Sequence, residues 1–187
     1  MPFLYWVSGE EDSSLMSQPQ YGSYGLASHH PGTCPLILSV PHGGEMRPPF
    51  IQDRKKPPPV LREKGTDPDE DTQNRVSVCA DIYTQEMGLV VAREYCKLTG
   101  DRPHVVMCNL HRSKLDANRP LHTAAEVLLL PHPPVRAQDP LAQQVYTEYH
   151  GFLEQARQEV GRGLVIDLHG QNHQQNSIGQ FHGANLT

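Results

Sequence analysis

His42 and Glu45 stand three residues apart with only Gly43-Gly44 between them, so an imidazole and a carboxylate can reach one cation from a single turn. Both donors suit zinc at about 2.0–2.2 Å. The paired glycines let the backbone turn tightly and come close to a bound ion. A third donor, His169, closes the apolar run Leu164-Val165-Ile166-Asp167-Leu168 and is followed by Gly170. Two histidines and one glutamate leave the fourth zinc position open for water, as in a catalytic rather than a structural centre. Zinc in such a site lowers the pKa of that water to about 7. Taken singly, Glu45 reads as a solvated turn residue and His169 as a hydrogen-bonded core histidine. Their common placement at strand ends favours the ligand reading. His173 is a competing donor, and Asp167 is either a support behind the metal site or a strand-end carboxylate.

A second group is Asn109-Leu110-His111-Arg112 with Asn118-Arg119. An arginine fork takes a carboxylate through two hydrogen bonds, and a neighbouring asparagine adds another. A solvated loop with surface arginines is the ordinary alternative. Asp67, Asp69 and Asp71 alternate as in a calcium loop, but Thr72 and Val78 stand where that loop needs Gly and Glu. No phosphate-binding glycine loop and no nucleophile elbow is present.

These groups need elements to hold them. Cys34 to Val40 is a short apolar run between Pro35 and Pro41 and reads as a buried strand leading into His42. His104 to Asn109 is a second such run and Leu164 to Leu168 a third. Asp71 or Thr72 is a candidate cap for a helix running to about Leu98, with Gly88 allowing a break into a short strand over Leu89 to Ala92. Asp139-Pro140 starts a helix ending near Gly161, with Asp as cap and Pro in the first turn. Strands separated by helices predict an α/β layered fold, whose ligands sit beyond the carboxyl ends of the strands. Residues 1–33 lack periodicity and read as a loose lead-in, 34–176 as the α/β domain, and 177–187 as a divergent tail.

Bulk properties narrow the function classes. The chain has 187 residues and a net charge of −5, which gives no electrostatic footprint for nucleic acid. No apolar run approaches the roughly 20 residues of a membrane span. Met1 to Val7 lacks a basic flank and is soon followed by Glu10-Glu11-Asp12, unlike a signal peptide. Cys34, Cys79, Cys96 and Cys108 form no C-x-x-C pair and read as reduced thiols of a cytoplasmic protein.

Taken in order, Ser39-Val40-Pro41-His42-Gly43-Gly44, Asn109-Leu110-His111-Arg112, Asn118-Arg119, Tyr146-x-x-Tyr149-His150 and Asp167-Leu168-His169-Gly170 resemble the N-formylglutamate amidohydrolase family. The likeness covers roughly Pro35 to Asn176. It implies a three-layer α/β/α phosphorylase/hydrolase-like fold with a mixed sheet, related to zinc carboxypeptidases and aspartoacylase. It also implies Zn2+ held by His42, Glu45 and His169. Asn118 and Arg119 then form the substrate carboxylate clamp, with Arg112 a second candidate. The implied reaction is hydrolysis of an N-acyl, formyl-type amide on an acidic amino acid, or of a peptide-like analogue, by metal-activated water. Relatives draw their base from a Glu nearer the C-terminus, whereas no carboxylate follows Asp167 in this chain. The resemblance therefore implies a chain that stops early relative to the family. Glu63, Glu70 and Asp71 are the remaining weak candidates for the base. The alternative is a catalytically inactive metal-binding or protein-interaction form of the same fold.

Overall fold

The computed structural model describes residues 15–54, 78–129 and 135–170. Three short apolar runs become the parallel centre of a sheet. They are β3 (Leu36–Val40), β4 (His104–Cys108) and β7 (Leu164–Asp167). β3 lies between the other two, with Leu38 opposite both Val105 and Ile166. The remaining strands of this sheet are β1 (Gln20–Tyr21) and β2 (Ala27–His30), which add antiparallel on the β4 side. The order is β1-β2-β4-β3-β7, a five-stranded mixed sheet. A separate antiparallel hairpin pairs β5 (Glu126–Leu129) with β6 (Val135–Gln138).

The side-chain alternation of β3 and β4 sorts the core into two clusters. Leu38, Val40, Val105 and Met107 meet helix α1 (Thr84–Thr99). Its buried stripe is Thr84, Gly88, Ala92 and Cys96, small residues four apart that let the helix lie close to the strands. Ile37, Val106 and Cys108 face the other way, toward helix α3 (Pro140–Val160) and its buried Ala142, Val145, Tyr149 and Ala156. Each fully buried aliphatic or aromatic side chain contributes about 1.5–3 kcal/mol. A one-turn helix, α2 (Leu121–Ala124), precedes the hairpin. α3 begins as its sequence dictates: Asp139 accepts from the N–H groups of Leu141 and Ala142, and Pro140 needs no partner for its nitrogen.

The chain leaves β3 through α1 to β4 on one side, then returns through α3 to β7 on the other. The direction of winding reverses at β3, and a crevice opens at such a reversal beyond the strand ends. His42, the segment Asn109–Arg119, and His169 all lie just past those ends.

Several expectations change. Residues 27–30, expected as lead-in, form an integral strand; Ala-Ser-His-His carries no apolar run, and its pairing with β4 is tertiary. The helix expected from Asp71 or Thr72 is helical from Thr84, and Leu89 to Ala92 remain inside it. Residues 71–77 and 171–187 lie outside the described residues, as do Glu63, Glu70, His173 and the proposed tail. All four cysteines are free. Among the described residues no helix is long and apolar enough to cross a membrane.

Candidate metal centre

β3 delivers His42 through Pro41 into a tight turn made possible by Gly43 and Gly44. A Cβ on Gly44 would overlap the Asn109 backbone, and one on Gly43 would overlap the Thr84 hydroxyl. The turn is thus pressed between the end of β4 and the start of α1. It presents the His42 carbonyl to the Asp81 N–H at 3.0 Å, which ties the segment before α1 to the histidine. Asp81 is followed by Tyr83 in the left-handed region, at φ 66°, an uncommon state for a tyrosine. Thr84 fixes this bend by donating its hydroxyl to the Asp81 carbonyl at 2.8 Å.

His42 and Asp81 are buried, and His169 stands at the rim with 36% of its side chain exposed. His42 Nε2 lies 2.6 Å from Asp116 Oδ1. A carboxylate can only accept, so Nε2 carries a proton, and in the neutral imidazole Nδ1 carries the lone pair. That buried Nδ1 makes no hydrogen bond. Asp81 Oδ2 lies 3.5 Å from it and 3.1 Å from His169 Nδ1. One donor atom from each of the three residues falls within 4.8 Å of the others. Tetrahedral zinc with bonds of about 2.0–2.1 Å separates its ligand atoms by about 3.3 Å. The observed spacings and the orphaned nitrogen fit a cation at this point, so His42, Asp81 and His169 form a group that could hold a metal ion.

Burial works against ionisation of Asp81. The Gly170 N–H, the His169 imidazole, His42 and Arg112 nonetheless hold its carboxyl below the usual range. Asp116 is buried too, yet the His42 hydrogen bond, with the Arg112 and Arg54 guanidiniums, keeps its carboxyl well below the ordinary carboxylate range. Arg112 Nε reaches Asp116 at 3.1 Å and its Nη1 reaches Asp81 Oδ1 at 3.6 Å. Arg119 and Arg54 approach Asp116 at 3.8 and 3.7 Å.

His42, Asp81, Arg112, Asp116, Asn118, Arg119 and His169 line a cavity of about 420 Å³. The structure thus brings the residues expected of a carboxylate clamp, Arg112, Asn118 and Arg119, to the wall of the cavity that holds two of the expected metal ligands. Glu45 is exposed and stands outside the group that could hold a metal ion; burial and Arg47 lower the proton affinity of His111, and the Glu45 carboxylate only partly opposes them. Asp81 takes the place beside His42 and His169. His111 points elsewhere, to Arg47 at 2.7 Å and Ser113 at 2.9 Å. Asn109 donates to the Gly25 carbonyl and accepts from Gln85, and so braces the end of β4. His150 binds the Ala117 carbonyl at 3.0 Å and steadies the loop that carries Asn118.

Asp81 and Asp116 were not singled out from sequence. Asp81 falls in a stretch with helical apolar spacing, and its only signal is Thr84 three residues on. Asp116 follows Arg112 by four residues inside the segment already read as a clamp. Compared with family profiles, with curated proteins and with solved structures, the chain matches none.

Proposed function

We propose that this chain is a zinc-dependent amidohydrolase of the N-formylglutamate amidohydrolase type, built on the three-layer phosphorylase/hydrolase-like fold, and acting on a small carboxylated N-acyl amino acid or peptide-like substrate. The observation that carries this reading is the orphaned Nδ1 of buried His42, aimed at Asp81 beside His169. A divalent ion held there supplies Lewis acidity toward a carbonyl and acidifies water. Zinc suits two nitrogens and one oxygen, although such a set also suits iron.

The chain's own groups orient the substrate. Arg119 is 41% exposed at the cavity wall and offers its outward N–H groups to a substrate carboxylate. Asn118 adds an amide beside it. Arg112 is more deeply committed, to Asp81 and Asp116, and contributes positive potential rather than a free fork. A carboxylate gripped at Arg119 places the amide of an N-acyl amino acid a few bonds away, toward the two histidines.

One observation favours the second reading, a metal-binding or interaction form without turnover. Among the described residues both carboxylates lining the cavity are engaged: Asp81 with the two histidines, Asp116 with His42 and three guanidiniums. Neither is open to carry a proton to a leaving amine.

The test is metal content by elemental mass spectrometry after exposure to Zn2+ and dialysis, followed by assay on N-formyl-glutamate. About one zinc per chain is expected, lost in His42→Ala and His169→Ala. Turnover then supports the hydrolase, and metal without turnover supports the second reading. A folded chain that retains no metal overturns the hydrolase and the metal-binding form, and leaves the interaction form.

A further inference from the structure

The two histidine donors are supported from behind by different means. Asp116, behind His42, is fixed by three guanidiniums. Behind His169 stands Asp167, whose Oδ2 lies 3.5 Å from His169 Nε2. Asp167 is 41% exposed and touches no guanidinium in the described residues; what holds it is Ser39 Oγ, on the neighbouring strand. Ser39 in turn meets the Tyr149 hydroxyl at 2.6 Å.

We propose that Ser39 and Tyr149 are positioning residues of the metal centre, acting through Asp167 to set the orientation and tautomer of His169. The inference rests on the metal reading above. Ser39 is the single polar residue of β3, Leu-Ile-Leu-Ser-Val, and is 3% exposed. A hydroxyl buried in a strand is tolerated only where it has partners, and an apolar residue would suit that strand better. Its register sets it opposite Asp167. Tyr149 is 1% exposed on the buried face of α3.

The hydrogen bonds have a fixed direction. Asp167 can only accept, so Ser39 donates to its Oδ1. Ser39 has a single proton, so Tyr149 must donate to Ser39. The chain of donors ends on a carboxylate whose second oxygen faces His169 Nε2. Asp81 Oδ2, 3.1 Å from Nδ1, competes with it for the ring proton; a cation seated among His42, Asp81 and His169 would take the Nδ1 lone pair instead, and Asp167 is then the charged acceptor for the proton on Nε2. The Asn118 amide nitrogen, 3.2 Å from the same Nε2, favours the opposite tautomer. A charged acceptor outweighs a neutral donor, and rotation of the amide offers its oxygen instead. Without Ser39, no other hydrogen bond among the described residues keeps Asp167, on the outer strand β7, from turning to water. The tautomer then falls to Asn118, and His169 becomes a poorer ligand.

The test uses the full chain with Co2+ as a spectroscopic probe, reading the dissociation constant and the visible absorption bands. Asp167→Asn keeps the shape, removes the charge, and is expected to weaken binding about 10- to 100-fold. Ser39→Ala should reproduce part of that loss with altered bands, Ser39→Thr should restore both, and Tyr149→Phe should show the smallest loss. Thermal unfolding is followed throughout. If Ser39→Ala does not fold, the exposed Asp167→Asn and the conservative Tyr149→Phe still decide the matter. Wild-type protein that binds Co2+ while Asp167→Asn binds it equally well, with unchanged bands, overturns the positioning role and leaves the metal centre standing. A folded wild-type chain that takes up no Co2+ overturns the metal centre itself.

Discussion

Two histidine pairs occupy the same sheet and differ in almost everything but residue type. His42 and His169 lie past the carboxyl ends of parallel strands, with ring centroids 5.0 Å apart at a cavity. His29 and His104 lie within β2 and β4, buried and stacked at 5.4 Å, with His29 Nε2 3.2 Å from His104 Nδ1. Three aspartates surround the first pair. The second has each other, the Glu159 carboxylate at 3.8 Å from His104, His30 on the same strand, and the Phe152 ring. Each pair leaves one buried Nδ1 without a hydrogen bond, on His42 and on His29, and that of His42 faces the Asp81 carboxylate at 3.5 Å. In the second, burial opposes charge, the neighbouring imidazole adds to that, and His29 is pushed down to about 4. Environment, not histidine content, separates a pair that could hold a cation from one packed as a structural contact.

The comparison breaks most forcefully at Asp116. Asp116→Ala leaves Arg54, Arg112 and Arg119 facing one another and removes the support behind His42, and a loss of about 3–5 kcal/mol is expected. Urea unfolding of the metal-free chain measures it. A loss under about 1 kcal/mol would show that the guanidiniums find water easily and that this pair is no better anchored than the other.

The next effect separates the two pairs by pH. The folded-state values of His29 and His104 lie below the unfolded value of about 6.5. Unfolded chains therefore bind more protons in this range. The stability contributed by the neutral pair is fully present above about pH 6.5 and is lost as pH falls toward about 4, on the order of 3 kcal/mol for His29. The depressed carboxyls of Asp81 and Asp116 act in the other window: their contribution is present above about pH 4 and lost below it. Unfolding free energies near neutral pH and near about pH 4.5 should differ in the wild type and differ much less in His29→Leu. An equal slope in both proteins would remove His29 from the account.

The smallest effect is local to the metal side. Tyr83 is 74% exposed and holds a positive φ just after Asp81. Glycine accepts that backbone without strain, so Tyr83→Gly should stabilise by about 1 kcal/mol or less, the gain being offset by glycine's greater freedom when unfolded. A thermal melt checks the sign. A clear destabilisation would mean that the tyrosine ring itself supports the Asp81 bend.

Legibility in the sequence follows the same division. The apolar runs of β3, β4 and β7 and the Asp139-Pro140 start of α3 are short-range signals, and by themselves they put His42 and His169 at strand ends. β2 escaped because Ala27-Ser28-His29-His30 has no pattern of its own; His29 meets its hydrogen-bond partner through Nε2 in His104, 75 residues on. Asp81 escaped for a related reason. Glu45 sits at ligand spacing from His42 along the chain, while Asp81 reaches the same imidazole only because α1 is packed against β3 and β4. Local spacing identifies which residues can share an ion. Tertiary packing decides which of them meet.

β7 has a consequence for the molecule in solution. Leu164, Val165 and Ile166 are 59%, 50% and 38% exposed, and among the described residues the strand has a partner only along its β3 edge. An edge of branched aliphatics with no lysine or proline inside the strand is, wherever nothing covers it, the kind of surface on which further strands stack. The histidine that would serve a metal is carried two residues beyond that edge. Crowding of molecules along it would therefore foul the metal cavity before it unfolded the core, so that the preparation would lose metal-binding capacity with concentration while its helices remained intact.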